Sequence, residues 1–333
     1  MLRRLLVAVP IAVAAACGHD PTNPFANPSR PPSADAVLLF ATGSWASDLG
    51  QPRELYALNA DGSEAERLTT CAQASTPCDF VQIAPSPDRN RLVALRTTPG
   101  AAAGANGLYF MDLSRSVETL VFSSRRIDSV DYSPDGSFIL YSAVVGQAGV
   151  EDLFVSDPTG LNEQNLTSTT DFRERSARLE PYARTAVYEG IDASGVSRIY
   201  LYSQTALTSG PATGPALPDT PYVVGADADP VFSPDSSFVA FRRLTGVGNG
   251  GLGTWDILTV KTDGSSTPEV VVTGPLFRGA PDWGPDGIVF VETDAAASRS
   301  ELVVVAADGA GRTVLRTEDA RYRMTGPRWL PGS

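Results

Sequence analysis

One histidine, His19, occurs in 333 residues, and it stands two positions after a cysteine near the N-terminus. Serine or cysteine nucleophiles activated by imidazole, and metal sites built on histidine, are therefore excluded unless that ring supplies them. No Gly-x-Ser-x-Gly elbow, phosphate loop, Cys-x-x-Cys or His-Glu-x-x-His pattern is present. Asp227 and Asp229, in Ala-Asp-Ala-Asp-Pro, are weak cation-ligand candidates. They lack calcium-loop spacing, and a solvated turn is the preferred reading. No cofactor and no metal is expected. Cys71 and Cys78 bracket a loop of small and polar residues and are expected to form a structural disulfide. Closing a loop of that length contributes roughly 2.5 kcal/mol on chain-entropy arithmetic. The remaining recognition chemistry is arginine, in part beside aromatic rings: Arg125 and Arg126; Phe172, Arg173, Arg175 and Arg178; Phe277 and Arg278; Arg321, Tyr322 and Arg323. A guanidinium fork suits carboxylates and phosphates, and Arg with aromatics is an interface composition. Two readings stand side by side: a recognition surface, or internal Arg-acid pairs tying neighbouring elements together.

The elements that must hold these residues repeat. Ser86-Pro87-Asp88, Ser133-Pro134-Asp135-Gly136, Ser233-Pro234-Asp235 and Gly284-Pro285-Asp286-Gly287 share one pattern, with degenerate members at Glu180-Pro181-Tyr182 and Leu330-Pro331-Gly332. Their prolines lie 47, 47, 53, 51 and 46 residues apart, which is blade spacing for a β-propeller. Proline presets φ and Asp-Gly permits a tight reversal, so each motif is a turn. Before each proline runs a short strand ending at Pro85, Tyr132, Leu179, Phe232, Trp283 or Trp329. After it come an apolar second strand such as Phe138 to Tyr141, a third such as Leu153-Phe154, and an Asp-Gly turn into a fourth. Gly 30 and Pro 26 together make about 17% of the chain, in keeping with many turns and short strands. The expected fold is all-β: a six-bladed β-propeller of four-stranded blades. The chain ends in a first strand at Trp329 and begins its folded part at Ala36 with a second strand, so pairing the two termini in one blade closes the ring.

Residues 1–16 carry Arg3 and Arg4, an apolar run and small residues before Cys17, the pattern of an export signal too short to span a bilayer. The Ala-Ala-Ala-Cys ending resembles a bacterial lipoprotein box, which implies a lipidated Cys17 and membrane attachment through that lipid. By the same resemblance, Gly18 after the cysteine implies the outer membrane. Residues 17–35, with five prolines and almost no apolar side chains, read as a tether, and residues 36–333 as the propeller. Formal net charge is −12, and 24 Lys+Arg minus 38 acids after cleavage gives −14, which argues against nucleic acid as a partner.

The repeat resembles the PD-type, WD-like repeat of TolB-type six-bladed propellers over residues 36 to 333. The resemblance implies architecture and not activity, because that repeat serves binding proteins, peptidase gating domains and some enzymes. TolB carries an N-terminal α/β domain and no lipid, and this chain differs in both, so no Tol-Pal role is implied. The expected function is a lipid-anchored, extracytoplasmic, non-enzymatic platform, a monomeric propeller binding a protein, peptide or envelope polymer through its loop-rich face. The alternatives are a carboxylate-dependent hydrolase or lyase acting on a saccharide or lactone in the channel, and a structural subunit of an envelope assembly. The six blade-to-blade connections, which include the arginine segments above, hold eight Arg and eight acids, so the negative charge lies outside them.

Overall fold

The computed structural model describes residues 32–44, 53–63, 65–69, 79–97, 106–115, 117–122, 126–146, 150–182, 185–203, 226–248, 251–319 and 322–332. No α-helix occurs among them. In the unit that joins the termini, β24 (Tyr322–Trp329), β1 (Ala36–Ser44), β2 (Glu54–Asn59) and β3 (Glu66–Arg67) lie side by side in that order. The first unit after it is β4 (Asp79–Pro85), β5 (Arg91–Thr97), β6 (Asn106–Asp112) and β7 (Val117–Phe122). The second is β8 (Ile127–Tyr132), β9 (Ile139–Val145), β10 (Val150–Ser156) and β11 (Gln164–Asn165). The third has β12 (Arg173–Leu179), β13 (Thr185–Ile191) and β14 (Ser197–Ser203), and its expected fourth strand falls outside the described residues. One parallel pairing, Glu151 with Arg173, merges the second and third units into a single sheet. The fourth unit is β15 (Asp227–Phe232), β16 (Phe238–Val247), β17 (Gly253–Lys261) and β18 (Glu269–Val272). In the fifth, the first strand is split into β19 (Phe277–Arg278) and β20 (Asp282–Gly284), followed by β21 (Gly287–Asp294), β22 (Arg299–Val305) and β23 (Thr313–Asp319). The innermost strands β24, β4, β8, β12, β15 and β20 touch in that cyclic order, so the units form a ring. The fold is an all-β propeller, and the terminal strands β1 and β24 share one sheet, with Leu38 opposite Trp329 and Thr42 opposite Met324.

The core follows from strands buried on both faces. Along β5, Leu92 and Ala94 pack toward the preceding unit, whereas Val93 and Leu95 pack toward the next. Along β1, Leu39 and Ala41 go one way and Leu38 and Phe40 the other. Successive side chains leave a strand on opposite faces, so an uninterrupted apolar run supplies two interfaces at once. Among the described residues six apolar clusters result, each between one pair of neighbouring units.

Register comes from the proline turns. In Ser133-Pro-Asp-Gly136, the Ser133 hydroxyl donates to Asp135 at 2.8 Å and accepts the Phe138 N–H at 3.0 Å, while Asp135 accepts the Ser137 N–H. Ser86 and Ser233 build the same knot. The fourth motif position has positive φ: 75° at Gly136, 59° at Arg89 and 61° at Ser236. The serine is replaced at Gly284 because a Cβ there would stand 2.3 Å from the Trp329 ring. The Asp-Gly turns between third and fourth strands reach the unit before them. A Cβ on Gly62 would lie 2.4 Å from the Leu315 carbonyl oxygen, and one on Gly309 2.2 Å from that of Val271.

Two glycine exchanges therefore have opposite outcomes. Ser236→Gly removes a left-handed β-carbon and a buried hydroxyl without a partner among the described residues, and raises stability by about 1 kcal/mol. Gly309→Ala adds strain at φ 81° and a clash with backbone, and costs about 2–3 kcal/mol. Urea unfolding midpoints that move in the reverse directions would refute this account of the turns.

Candidate functional site at the channel and its mouth

Counting back three positions from each motif proline gives Ala84, Asp131, Arg178, Val231, Asp282 and Arg328, one from each innermost strand. Four of them form a layer of alternating charge across the axis. Arg178 Nη2 lies 2.5 Å from Asp282 Oδ1 and its Nε 3.4 Å from Asp131 Oδ2. Arg328 Nη1 lies 3.7 Å from Asp131 and 3.8 Å from Asp282, and its Nη2 donates to the Val130 carbonyl. The carboxylates also accept backbone N–H groups, Asp131 from Leu179 and Asp282 from Trp329. Burial pushes both carboxyls upward, and Arg178 beside them pulls back. Two cations and two anions sum to zero, which is how a low-dielectric axis can hold them. Ala84 and Val231 occupy the two remaining places of the layer.

At or next to the fifth position before the motif proline, five of the six inner strands among the described residues bulge, and Ser176, Asp229 and Gly326 there have φ of 50°, 50° and 51°. Bulges at these places re-aim side chains toward the axis. Gln82, Ser176, Asp229, Ala280 and Gly326 line the mouth above the charged layer, around a space of about 30 Å³, on the order of one water's volume. The fifth unit's first strand breaks at Gly279-Ala280-Pro281, since proline removes a ladder donor. With Ala280 and Gly326 so small, the mouth opens sideways into a cleft of about 350 Å³. Arg53, Arg242, Phe277, Val291 and Met324 contribute to its wall. Arg53 makes a bidentate pair with Asp79 at 2.6 Å. Arg242 pairs with Asp229, donates to the Arg278 carbonyl at 3.0 Å, and lies 4.0 Å above the Trp255 ring.

On β12, next in sequence to the mouth residue Ser176, Arg175 stands among the acids Glu151, Asp128 and Glu189. Arg175 forms an ion pair with Glu151. Burial pushes the Asp128 carboxyl up against the pull of Arg175, and burial together with Asp229 lifts Glu189 to about 7. Glu174, facing away between the second and third units, is pushed up to about 8 by burial. Its Oε2 accepts from Thr167, and Oε1 has no partner among the described residues.

Most arginines expected on a binding face, where the structure describes them, are internal. Arg175 and Arg178 pair as given above, and Arg278 is buried against Glu292 at 2.8 Å while donating to the carbonyls of Trp255, Thr273 and Gly274. For these three the reading as ties between units describes the arrangement. Arg126 is exposed, Arg173 half-buried, and Phe172 packs edge-on against Tyr200. Arg125 and Arg321 lie outside the described residues, as do the side chains of Tyr322 and Arg323, whose backbone belongs to β24. Cys17, Cys71 and Cys78 also lie outside them. The solvated turn expected at Asp227 and Asp229 is corrected: both sit in β15, Asp227 bidentate to Arg243 at 2.6 Å and Asp229 held by Arg242 and Ser176. Among the described residues no group of three or more metal-ligating side chains forms. Asp131, Asp282, Arg328, Arg53 and Arg242 are not among the residues expected to bind, because they lie in or at the ends of strands and the sequence points to loops and connections. For the first three, position relative to the motif proline is the signal that finds them.

The architecture is shared with solved structures. TolB from Acinetobacter baumannii is 16% identical with a TM-score of 0.67, over 92% of this chain and 69% of that one. A TolB structure from Agrobacterium tumefaciens is 18% identical with a TM-score of 0.58, over 89% and 99%. A structure of the nidogen/laminin complex is 10% identical with a TM-score of 0.60, over 89% and 98%. No protein-family model and no curated protein matches the chain. In fold the chain is a TolB-like β-propeller.

Arg178→Leu leaves two buried carboxylates short of a cation and costs about 3–5 kcal/mol in denaturant unfolding. An unchanged midpoint would instead place Arg178 on a surface. For Glu174 the folded form binds its proton more tightly than the unfolded chain, so its contribution weakens the fold as pH rises from the ordinary glutamate range to about 8. Glu174→Gln should flatten that slope, and an identical pH dependence in both proteins would show that Glu174 is ionised in the fold.

Proposed function

We propose that the protein is an extracytoplasmic binding platform, anchored by a lipid on Cys17 in the bacterial outer membrane, that captures a protein or peptide on its loop-rich face. The supporting observation is the contrast at the channel: the axis is filled by the neutral Asp131–Arg178–Asp282–Arg328 layer, while the open volume lies off-axis at the mouth. A rigid ring that presents loops and one cleft suits recognition. Arg126 and Arg173, and with them Arg125, Arg321, Tyr322 and Arg323, are the contact candidates left by the internal pairing of Arg175, Arg178 and Arg278. The tether of residues 17–35 would hold this face away from the bilayer. No cofactor enters this reading.

A second reading has one observation in its favour. Glu189, lifted to about 7 near Asp128, is a carboxyl tuned as a general acid would be, which suits a hydrolase or lyase of a saccharide or lactone. Turnover of such a substrate that disappears in Glu189→Gln would establish it.

Capture from cell-envelope extract on the immobilised protein should enrich one partner over a control propeller. Arg126→Ser with Arg173→Ser should lower that recovery severalfold while shifting the melting temperature by no more than a few degrees. In cells, Cys17→Ser should move the protein from the membrane to the soluble fraction. Equal recovery with the double variant would remove these arginines from the contact surface, and a membrane-bound Cys17→Ser protein would remove the lipid.

A further inference from the structure

We propose that the off-axis cleft binds the C-terminal end of a peptide, its last apolar side chain in the cleft and its α-carboxylate on Arg53, Arg242 and Gln82. This deepens the binding-platform reading and rests on it.

Three long polar side chains, Arg53, Arg242 and Gln82, leave donor capacity over at the cleft. Arg53 commits Nε and Nη2 to Asp79, Arg242 commits Nε to Asp229 and Nη1 to the Arg278 carbonyl, and Gln82 Oε1 accepts the Val130 N–H at 2.7 Å. Arg53 Nη1, Arg242 Nη2 and Gln82 Nε2 donate to nothing among the described residues, although all three side chains line the cleft. The acceptors beside them are already engaged: Asp79 also takes the Thr97 hydroxyl and Asp229 that of Ser176. The wall hydroxyls of Thr293 and Ser300 bond each other at 2.9 Å. A donor surplus on partly buried guanidinium groups fits an anionic acceptor, and a carboxylate matches the planar fork.

The rest of the wall specifies what carries that carboxylate. Phe277, Val291 and Met324 supply an apolar surface next to the donors. About 350 Å³ is at the small end of ligand pockets, room for one large side chain with its terminal group. Arg242 is held in place by Asp229 on one side and the Trp255 ring at 4.0 Å, so little order is lost when it meets a ligand. A chain terminus supplies an apolar side chain and a carboxylate on the same carbon, which the adjacency of these two surfaces requires.

The test titrates the full-length protein with acetyl-Gly-Gly-Leu bearing a free C-terminus and with its C-terminal amide, followed by calorimetry and tryptophan fluorescence. The acid should bind and the amide bind at least tenfold more weakly. Ala280→Leu, which fills the cleft, and Arg242→Gln should each weaken the acid at least tenfold, the first with an unchanged melting temperature. Equal binding of acid and amide, no binding of either, or binding of decanoate in place of the peptide would overturn the proposal. Envelope capture separates its failure from that of the platform. A partner captured equally by wild type and Ala280→Leu sinks the cleft and leaves the platform standing, whereas no captured partner at all sinks both.

Discussion

The pairing of β1 with β24 brings residues 36–44 and 322–329 into one sheet and turns a row of sheets into a ring. Among the described residues every apolar cluster lies between two neighbouring units, so each unit needs a neighbour on both faces. An open row would leave one face of its first and last sheets in water. The terminal pairing removes both faults, with Met324 and Trp329 packed against Val289 and Val291 of the fifth unit and Leu39 against Phe80 of the first. Trp329 also donates its indole N–H to the Gly287 carbonyl and receives support from Asp282, which ties closure to the charged layer.

Closure also decides what the channel is. The six inner strands among the described residues bring equivalent positions within reach of one another, and a layer of that kind is stable only if its charges cancel. Asp131 and Asp282 alternate with Arg178 and Arg328, and the small residues Ala84 and Val231 fill the gaps. Two positions outward the ring is uneven. Gln82, Ser176 and Asp229 are polar and reach inward, while Ala280 and Gly326 leave space. The off-axis cleft is thus a consequence of two missing side chains and of a proline-broken strand.

The arginines show how one residue type takes several roles in such a ring. Arg178 and Arg328 neutralise the axis, Arg278 gathers the carbonyls of a connection, and Arg242 stands between an acid and an indole ring at the cleft wall. Only context separates them, because the side chain that best reaches a carboxylate in a partner also best bridges two blades. A likeness in fold at 16–18% identity to TolB structures carries the architecture and leaves the contacts to this chain's own residues.

The repeat was legible in the sequence because its physics is local. Ser-Pro-Asp-Gly forms its own hydrogen-bonded knot within five residues, Asp-Gly turns need only a positive φ, and apolar runs declare strands buried on both faces. Those signals determined the strand order, the proline spacing and the terminal strand pairing, each of which the structure contains. Which polar residues meet was decided by the tertiary structure. Arg178 and Asp282 are 104 residues apart; their shared place three positions before a motif proline puts both on inner strands, and only the closed ring brings them into contact. Asp227 and Asp229 read as a solvated turn until bulged strands place Arg242 and Arg243 beside them. The distance across a closed ring depends on all the blades at once, so only the folded ring assigns Arg178 its partners, whereas the register of one hairpin sets Asp227 opposite Arg243.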